Sequence, residues 1–281
     1  VTALMAIVSV GLLTGCSGGS DAGDGRTGPS SSAPERREPT ASPQEYLQAT
    51  FDELDPVARL DQALSLSYLA RRFGEVEEME WAEELVERST EEVADDPDLS
   101  IFGRFLASGV DPPSTIEGSV LGQGSQVDTD QMVSRSLWCD RLELPTGFVA
   151  DLDTAAQQGG YELTHAFGAA QLIVENGCAT DDAAGLRDRL APAVASLLDS
   201  GAAGDLEVQA CALLHWAGHP ESVPDSYREV VVDARLPDGS WPQGADGEAG
   251  DPHTTVWALR CQLEIEHREL PPTRWVADPP D

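Results

Sequence analysis

Helical periodicity that returns at a near-constant interval constrains this chain more than any other feature. Apolar helices open near residues 161, 205 and 252, a repeat of about 45 residues. The first begins Tyr161-Glu162-Leu163-Thr164-His165 and ends near Gly177. The second, Leu206 to Ala217 behind Gly204-Asp205, is apolar almost all round, and the third runs from His253 to about Glu266 behind Asp251-Pro252. Between them lie amphipathic helices: Asp182 to Leu198, with Leu186, Leu190, Val194 and Leu197 on one face, and Pro224 to Ala234. A helix apolar on all sides must be buried, whereas one with a single apolar stripe covers a neighbour. Their alternation predicts stacked α-hairpins, each completing the core of the next. No stretch shows sustained period-2 alternation, so the expected class is all-α.

Upstream the periodicity is still helical, but no copy of the repeat is recognisable. Helices are expected over Gln44 to Leu54, Pro56 to Phe73, Val76 to Val93, Leu99 to Val110 and Asp128 to Leu142. Pro56 suits a first turn and Gly74 a stop. Asp111 to Val127 and Pro145 to Gly160 read as loops, 43–270 as the helical domain, and 271–281 as a C-terminal tail.

The N-terminus carries a different signal. Ala3 to Leu13 is an apolar run followed by Leu13-Thr14-Gly15-Cys16, the layout of a bacterial lipoprotein signal in which the Cys becomes the lipidated N-terminus. Residues 1–15 are thus expected to be a signal peptide, and Cys16 the site of a lipid anchor to the membrane. The mature chain would face outside the cytoplasm. Ser17 to Ser42 is Gly, Ser, Pro, Asp and Thr with almost no aliphatic residue. Such a segment cannot offset its ordering entropy and is expected to be a disordered tether, spanning about 28 Å. No other apolar run approaches the ~18 residues of a spanning helix.

Seventeen Arg and no Lys face 50 Asp plus Glu, a formal net charge of −33. This excludes a nucleic-acid binder that works by neutralising phosphates and selects against anionic ligands. Beyond Cys16 there are four cysteines, Cys139, Cys178, Cys211 and Cys261. An even count outside the cytoplasm suggests disulfides, with three pairings open. Comparable depth in adjacent buried helices favours Cys211–Cys261, leaving Cys139–Cys178. Buried free thiols are the alternative.

Candidate site groups follow from the hairpin array. If the inner helices run parallel, His165, Asp205, Glu207 and His253, all in first turns, face one end of a concave surface, with Trp257 one turn beyond His253. Two imidazoles with carboxylates could hold a small molecule, glycan or peptide. His165, Glu207 and His253 could instead ligate zinc in a metal-assisted hydrolase or lyase, or the group could act as an acid/base pair. Acidic residues at helix starts also serve simply to stabilise the dipole, and a structural module for an envelope partner remains a third alternative. Cys211, His215 and His219 have C-x₃-H-x₃-H spacing, but Gly218 and Pro220 end that helix near Ala217. His267 is expected to meet terminal carbonyls of the last helix. No phosphate-binding Gly-rich loop, G-x-S-x-G elbow or H-E-x-x-H motif is present.

Between the last two helices lies Arg235-Leu236-Pro237-Asp238-Gly239-Ser240-Trp241, followed by Asp251-Pro252-His253-Thr254-Thr255-Val256-Trp257. This resembles the terpenoid cyclase/protein prenyltransferase superfamily, whose α/α-toroids carry a Gln-x-x-Asp-Gly-Ser-Trp turn; Arg235 stands where the Gln would be. The resemblance covers Tyr161 to His267 and implies a partial α/α toroid. It implies a structural role for the turn, with the Trp at a helix end and Asp-Gly-Ser making the corner. Asp151-Leu152-Asp153-Thr154-Ala155 resembles the acid motif of class II cyclases with one Asp missing, and reads better as a capping cluster. His253-Thr254 matches the His-Thr opening of a prenyltransferase zinc helix, but the accompanying Asp-x-Cys pair is absent. Neither activity is therefore expected.

Overall fold

The computed structural model describes residues 39–94, 96, 99–113, 116, 129–178, 180–244 and 247–277. The expected signal peptide, Cys16, the expected tether up to residue 38 and most of the 111–127 segment lie outside the described residues. The chain is all-α, built from packed helical hairpins with one two-stranded ladder. Among the described residues no helix is long and apolar enough to cross a membrane.

The helices begin and end where local chemistry dictates. Helix α1 (Pro43–Phe51) starts with a reciprocal capping box between Ser42 and Glu45. Helix α2 (Pro56–Phe73) is capped by Asp55, whose carboxylate accepts from the Ala58 amide. Then come α3 (Glu80–Ala94), a 3-10 helix (Ser100–Phe105), α4 (Thr129–Leu137), α5 (Phe148–Ala156), α6 (Gly160–Glu175) and α7 (Thr180–Ser196). The chain closes with α8 (Asp205–Trp216), α9 (Tyr227–Asp233), strands β1 (Trp241–Pro242) and β2 (Gly250–Asp251), and α10 (Pro252–Glu266). Asp251 caps α10 through the Thr254 amide.

Packing order gives the architecture. Helix α2 packs on α10, α10 on α8, α8 on α6, α6 on α4, α4 on the 3-10 helix, and the 3-10 helix back on α2. The series returns to its start. Outside it, α3 covers α2, α7 covers α6, α5 lies across α6 and α7, and α9 and α1 cover α10. Two disulfides join this framework, Cys211–Cys261 between α8 and α10 and Cys139–Cys178, with Cα separations of 5.6 and 6.0 Å.

Four expectations need correcting. Pro145 to Gly160 is not all loop, because Phe148, Leu152, Ala155 and Ala156 recur at helical spacing and bury one face of α5. Leu99 to Val110 is not an α-helix but holds only a short 3-10 helix, Ser100–Phe105. There Gly103 approaches Val93 and Val110, and the buried Arg104 forks onto Asp140 at 2.6 Å while donating to the Leu137 carbonyl. The end of the tether is ordered: Thr40 donates its amide and hydroxyl to the Pro237 carbonyl at 2.8 and 3.0 Å. Lastly, 271–277 is no tail, since Trp275 and Val276 are buried.

The 238–241 corner is made as its residues dictate. Asp238 accepts from the Ser240 amide and hydroxyl, and Gly239 has φ of +89°. A Cβ there would come 2.4 Å from the Ser42 carbonyl oxygen. Trp241 is fully buried and donates its indole N–H to Val231.

Candidate functional site

The ring encloses a cavity of about 70 Å³, and every ring element lines it. Its wall is apolar: Leu64, Val133, Leu172, Leu213 and Trp257, with Gly168 opposite Leu213. Asp61 of α2, His165 of α6 and His253 of α10 ring one end. Each lies at or near the N-terminal end of its helix, so these inner helices run the same way and their starts share a mouth. His253 and Asp61 keep 30% and 24% of their side-chain surface exposed, so the mouth is open.

The polar groups of the mouth form one chain. His253 Nδ1 is hydrogen-bonded to Asp61 Oδ2, and its Nε2 lies 3.2 Å from Asp205 Oδ1. Asp205, the first residue of α8, is held by its amide on the Gln243 carbonyl at 2.9 Å, and its Oδ2 accepts from the Tyr161 hydroxyl. Asp205 Oδ1 is buried and has no hydrogen-bond partner among the described residues, because the imidazole beside it is out of line. His165 Nδ1 lies 2.7 Å from the Tyr161 carbonyl. A carbonyl can only accept, so this nitrogen carries the proton and Nε2 of the neutral ring is an acceptor. Below, the Thr164 hydroxyl donates to Gln209 at 2.7 Å. Trp257 Nε1 is buried without a partner among the described residues.

The two imidazoles are driven apart. Burial works against charge on His253, but the Asp61 carboxylate, its hydrogen bond, and the charges of Asp205 and Asp251 push the imidazolium up to about 10. Burial lowers His165, and the neighbouring charge of His253 adds to the effect. Burial also raises Asp205, against the pull of His253 and the Tyr161 hydroxyl. At neutral pH His253 is a fixed cation and His165 a fixed neutral acceptor, so neither is poised to exchange protons there.

His165, Asp205, His253 and Trp257 thus come together, and Glu207 does not. Residues two apart on a helix do not share a face, and Glu207 instead accepts from Ser200 at 3.3 Å. This removes the proposed zinc set of His165, Glu207 and His253. Both nitrogens of His253 already face carboxylates, and among the described residues no group of three or more His, Cys, Asp or Glu is arranged to hold a metal ion. Asp61 and Tyr161 were not singled out from sequence. The signal for Asp61 was a lone carboxylate within the buried-type run Leu60 to Leu69.

Other candidates disperse. Cys211 is in a disulfide, His215 is buried and pushed down to about 3 by burial and nearby arginines, and His219 meets Asp188 at 3.2 Å. The ring of His267 reaches Glu77 at 2.8 Å instead of the carbonyls of its own helix. Asp151 is exposed on α5 and Asp153 is 3.8 Å from Arg189; neither lines the cavity.

The opposite end of the cavity is closed. Trp275, from the segment after α10, lines it and donates its indole N–H to Leu64 O at 2.9 Å. It packs edge-on against Trp216 and Trp257. Beneath lies Arg260, fully buried, its guanidinium 3.8 Å from the Tyr68 ring centre and 4.1 Å from that of Trp275. None of its nitrogens has a hydrogen-bond partner among the described residues.

Comparison with protein-family models, curated proteins and solved structures gave no match.

Proposed function

We propose that this chain is an extracytoplasmic, lipid-anchored helical protein that binds a small molecule, without catalysis, in the lumen of a partial α/α toroid. The observation that carries this reading is the cavity of about 70 Å³, apolar along its wall and open at a mouth of fixed polar groups. Ligand sites have this composition: mostly apolar lining with a few placed polar groups. Trp275 and Arg260 fill the lower lumen, so what remains is a short cup, which selects a small molecule over a glycan or a peptide. Catalysis by the two imidazoles is disfavoured because their proton affinities are displaced to opposite sides of neutrality.

The anchor is supported by Leu13-Thr14-Gly15-Cys16, and the location also by two disulfides, which persist outside the cytoplasm. Xenon binding tests the lumen. The ¹²⁹Xe resonance should shift on adding the protein and lose that shift in Leu213→Phe, which fills the cup; no shift with the native chain would reject the reading. Cys16→Ser should move the protein from the membrane to the soluble fraction of an expressing bacterium.

A further inference from the structure

We propose that the lumen takes a small uncharged alcohol, its hydroxyl held by His165 and Gln209 one helical turn in from the mouth. This rests on the lumenal binding proposed above and names the chemical class of the ligand.

Helix geometry sets up the site. A step of four residues keeps to one helix face and moves one turn along it. Four residues after Asp61, Tyr161, Asp205 and His253 come Ser65, His165, Gln209 and Trp257, and all four of the latter line the cavity. Because their helices run the same way, these side chains form a belt just inside the charged mouth. No member of the belt carries a charge, since burial keeps the His165 imidazole neutral.

Hydrogen-bond inventory carries the choice of ligand. His165 Nδ1 is committed to the Tyr161 carbonyl, which leaves Nε2 an acceptor. Gln209 Oε1 accepts from the Thr164 hydroxyl, which leaves the amide nitrogen a donor. Neither His165 Nε2 nor the Gln209 amide nitrogen has a hydrogen-bond partner among the described residues, and the Ser65 hydroxyl has none either. Unlike Asp205 Oδ1, these atoms are not sealed in protein. Gln209 and Ser65 are only 5% and 1% exposed, so the space their free groups meet is the lumen. A hydroxyl both donates and accepts. On one atom it gives His165 a donor and Gln209 an acceptor. Water offers the same hydrogen bonds, but the wall of Leu213 and Trp257 favours a ligand with an apolar stem.

Charge and size exclude the alternatives. An ion would leave water for an apolar wall, with no opposite charge in the belt to pair with. A ketone has an acceptor for Gln209 and leaves His165 Nε2 without a donor. The cavity is less than half the roughly 150 Å³ of one that admits benzene, so it holds about three or four non-hydrogen atoms. 2-Propanol, acetone, isopropylammonium and acetate share one branched outline of that size and differ in charge and hydrogen bonding.

Displacement of ¹²⁹Xe from the lumen at neutral pH reads the affinity of each probe, and the His165 ¹⁵N resonances report the contact. 2-Propanol should bind about tenfold more tightly than acetone and shift the Nε2 resonance. Isopropylammonium and acetate should not displace xenon. His165→Leu should bring 2-propanol down to the affinity of acetone and leave acetone within about twofold. Gln209→Met should weaken both, because both use the amide donor, and it is the second variant should the first fail to fold, judged by its thermal transition. Equal affinity for 2-propanol and acetone in the native chain overturns the alcohol and leaves lumenal binding standing. So does either ion displacing xenon as well as 2-propanol does, or no probe displacing it. Exclusion of xenon itself overturns the lumen.

Discussion

Each end of the lumen holds a cation, and the two are held in different ways. At the mouth the His253 imidazolium sits between the Asp61 and Asp205 carboxylates. At the floor the Arg260 guanidinium lies over the rings of Tyr68 and Trp275 and, among the described residues, is ion-paired to no carboxylate, while Glu264 nearby is engaged by Tyr68 at 2.6 Å and Arg72 at 2.8 Å. A charge facing π-systems gains attraction without leaving a hydrogen-bond acceptor over. One facing carboxylates is stronger and titratable, and here it pairs with Asp61 Oδ2 and Asp205 Oδ1 at once. Neither end is complete in hydrogen bonds, since the Arg260 nitrogens too lack a partner among the described residues; the ends differ in access, the floor being fully buried under rings and the mouth partly open at His253 and Asp61.

The largest expected effect lies at the floor. Trp275→Ala removes the ring that closes the cavity and covers Arg260, and should cost about 3–5 kcal/mol in denaturant unfolding. A loss under ~1 kcal/mol would show that 271–277 is only an appendage. Next comes Asp61→Asn, which deprives His253 of its aligned partner. Allowing for the partial exposure of both groups, the cost should be about 1–2 kcal/mol near neutral pH. If it equalled that of Trp275→Ala, the mouth would be as structural as the floor.

Smaller and more diagnostic is the pH dependence of His253→Gln. The folded imidazolium is raised from 6.5 to about 10, so the stabilisation it brings is complete below pH 6.5. It declines as pH rises and is lost through pH 10. The stability gap between native chain and variant, from unfolding curves across that range, should therefore close on going alkaline; a gap that widened would refute the assignment of the charge. The smallest effect is expected for Glu207→Gln, within ~0.5 kcal/mol, with an unchanged ¹²⁹Xe shift, since this side chain lies outside the cavity.

Much of the frame was legible because its signals are local. Pro56 and Gly74 bracket α2 as expected, and the Asp251-Pro252 opening of α10 is a cap read directly from residue type. The shared depth of Cys211 and Cys261 followed from their places in adjacent buried helices. For the site, first-turn positions were enough to bring His165, Asp205 and His253 to one mouth. Glu207 was grouped with them because position within a turn was weighed and azimuth was not, though a two-residue step turns a helix face away. Asp61 escaped because α2 carries no recognisable copy of the repeat, so nothing local showed that it also belongs to the ring. Trp275 escaped because a Pro-rich ending reads as a tail until its burial is seen.

By itself the sequence determined that the chain is helical, where most helices start, which of them are buried, and which cysteines lie at one depth. These follow from period, capping and turn chemistry, all decided within a few residues. Only the tertiary structure decided that α2 closes on α10. That closure brings Asp61 to His253 across 192 positions and Trp275 beneath the lumen. Such partners are chosen by ring closure, a property of packing between distant segments, and no local pattern encodes it.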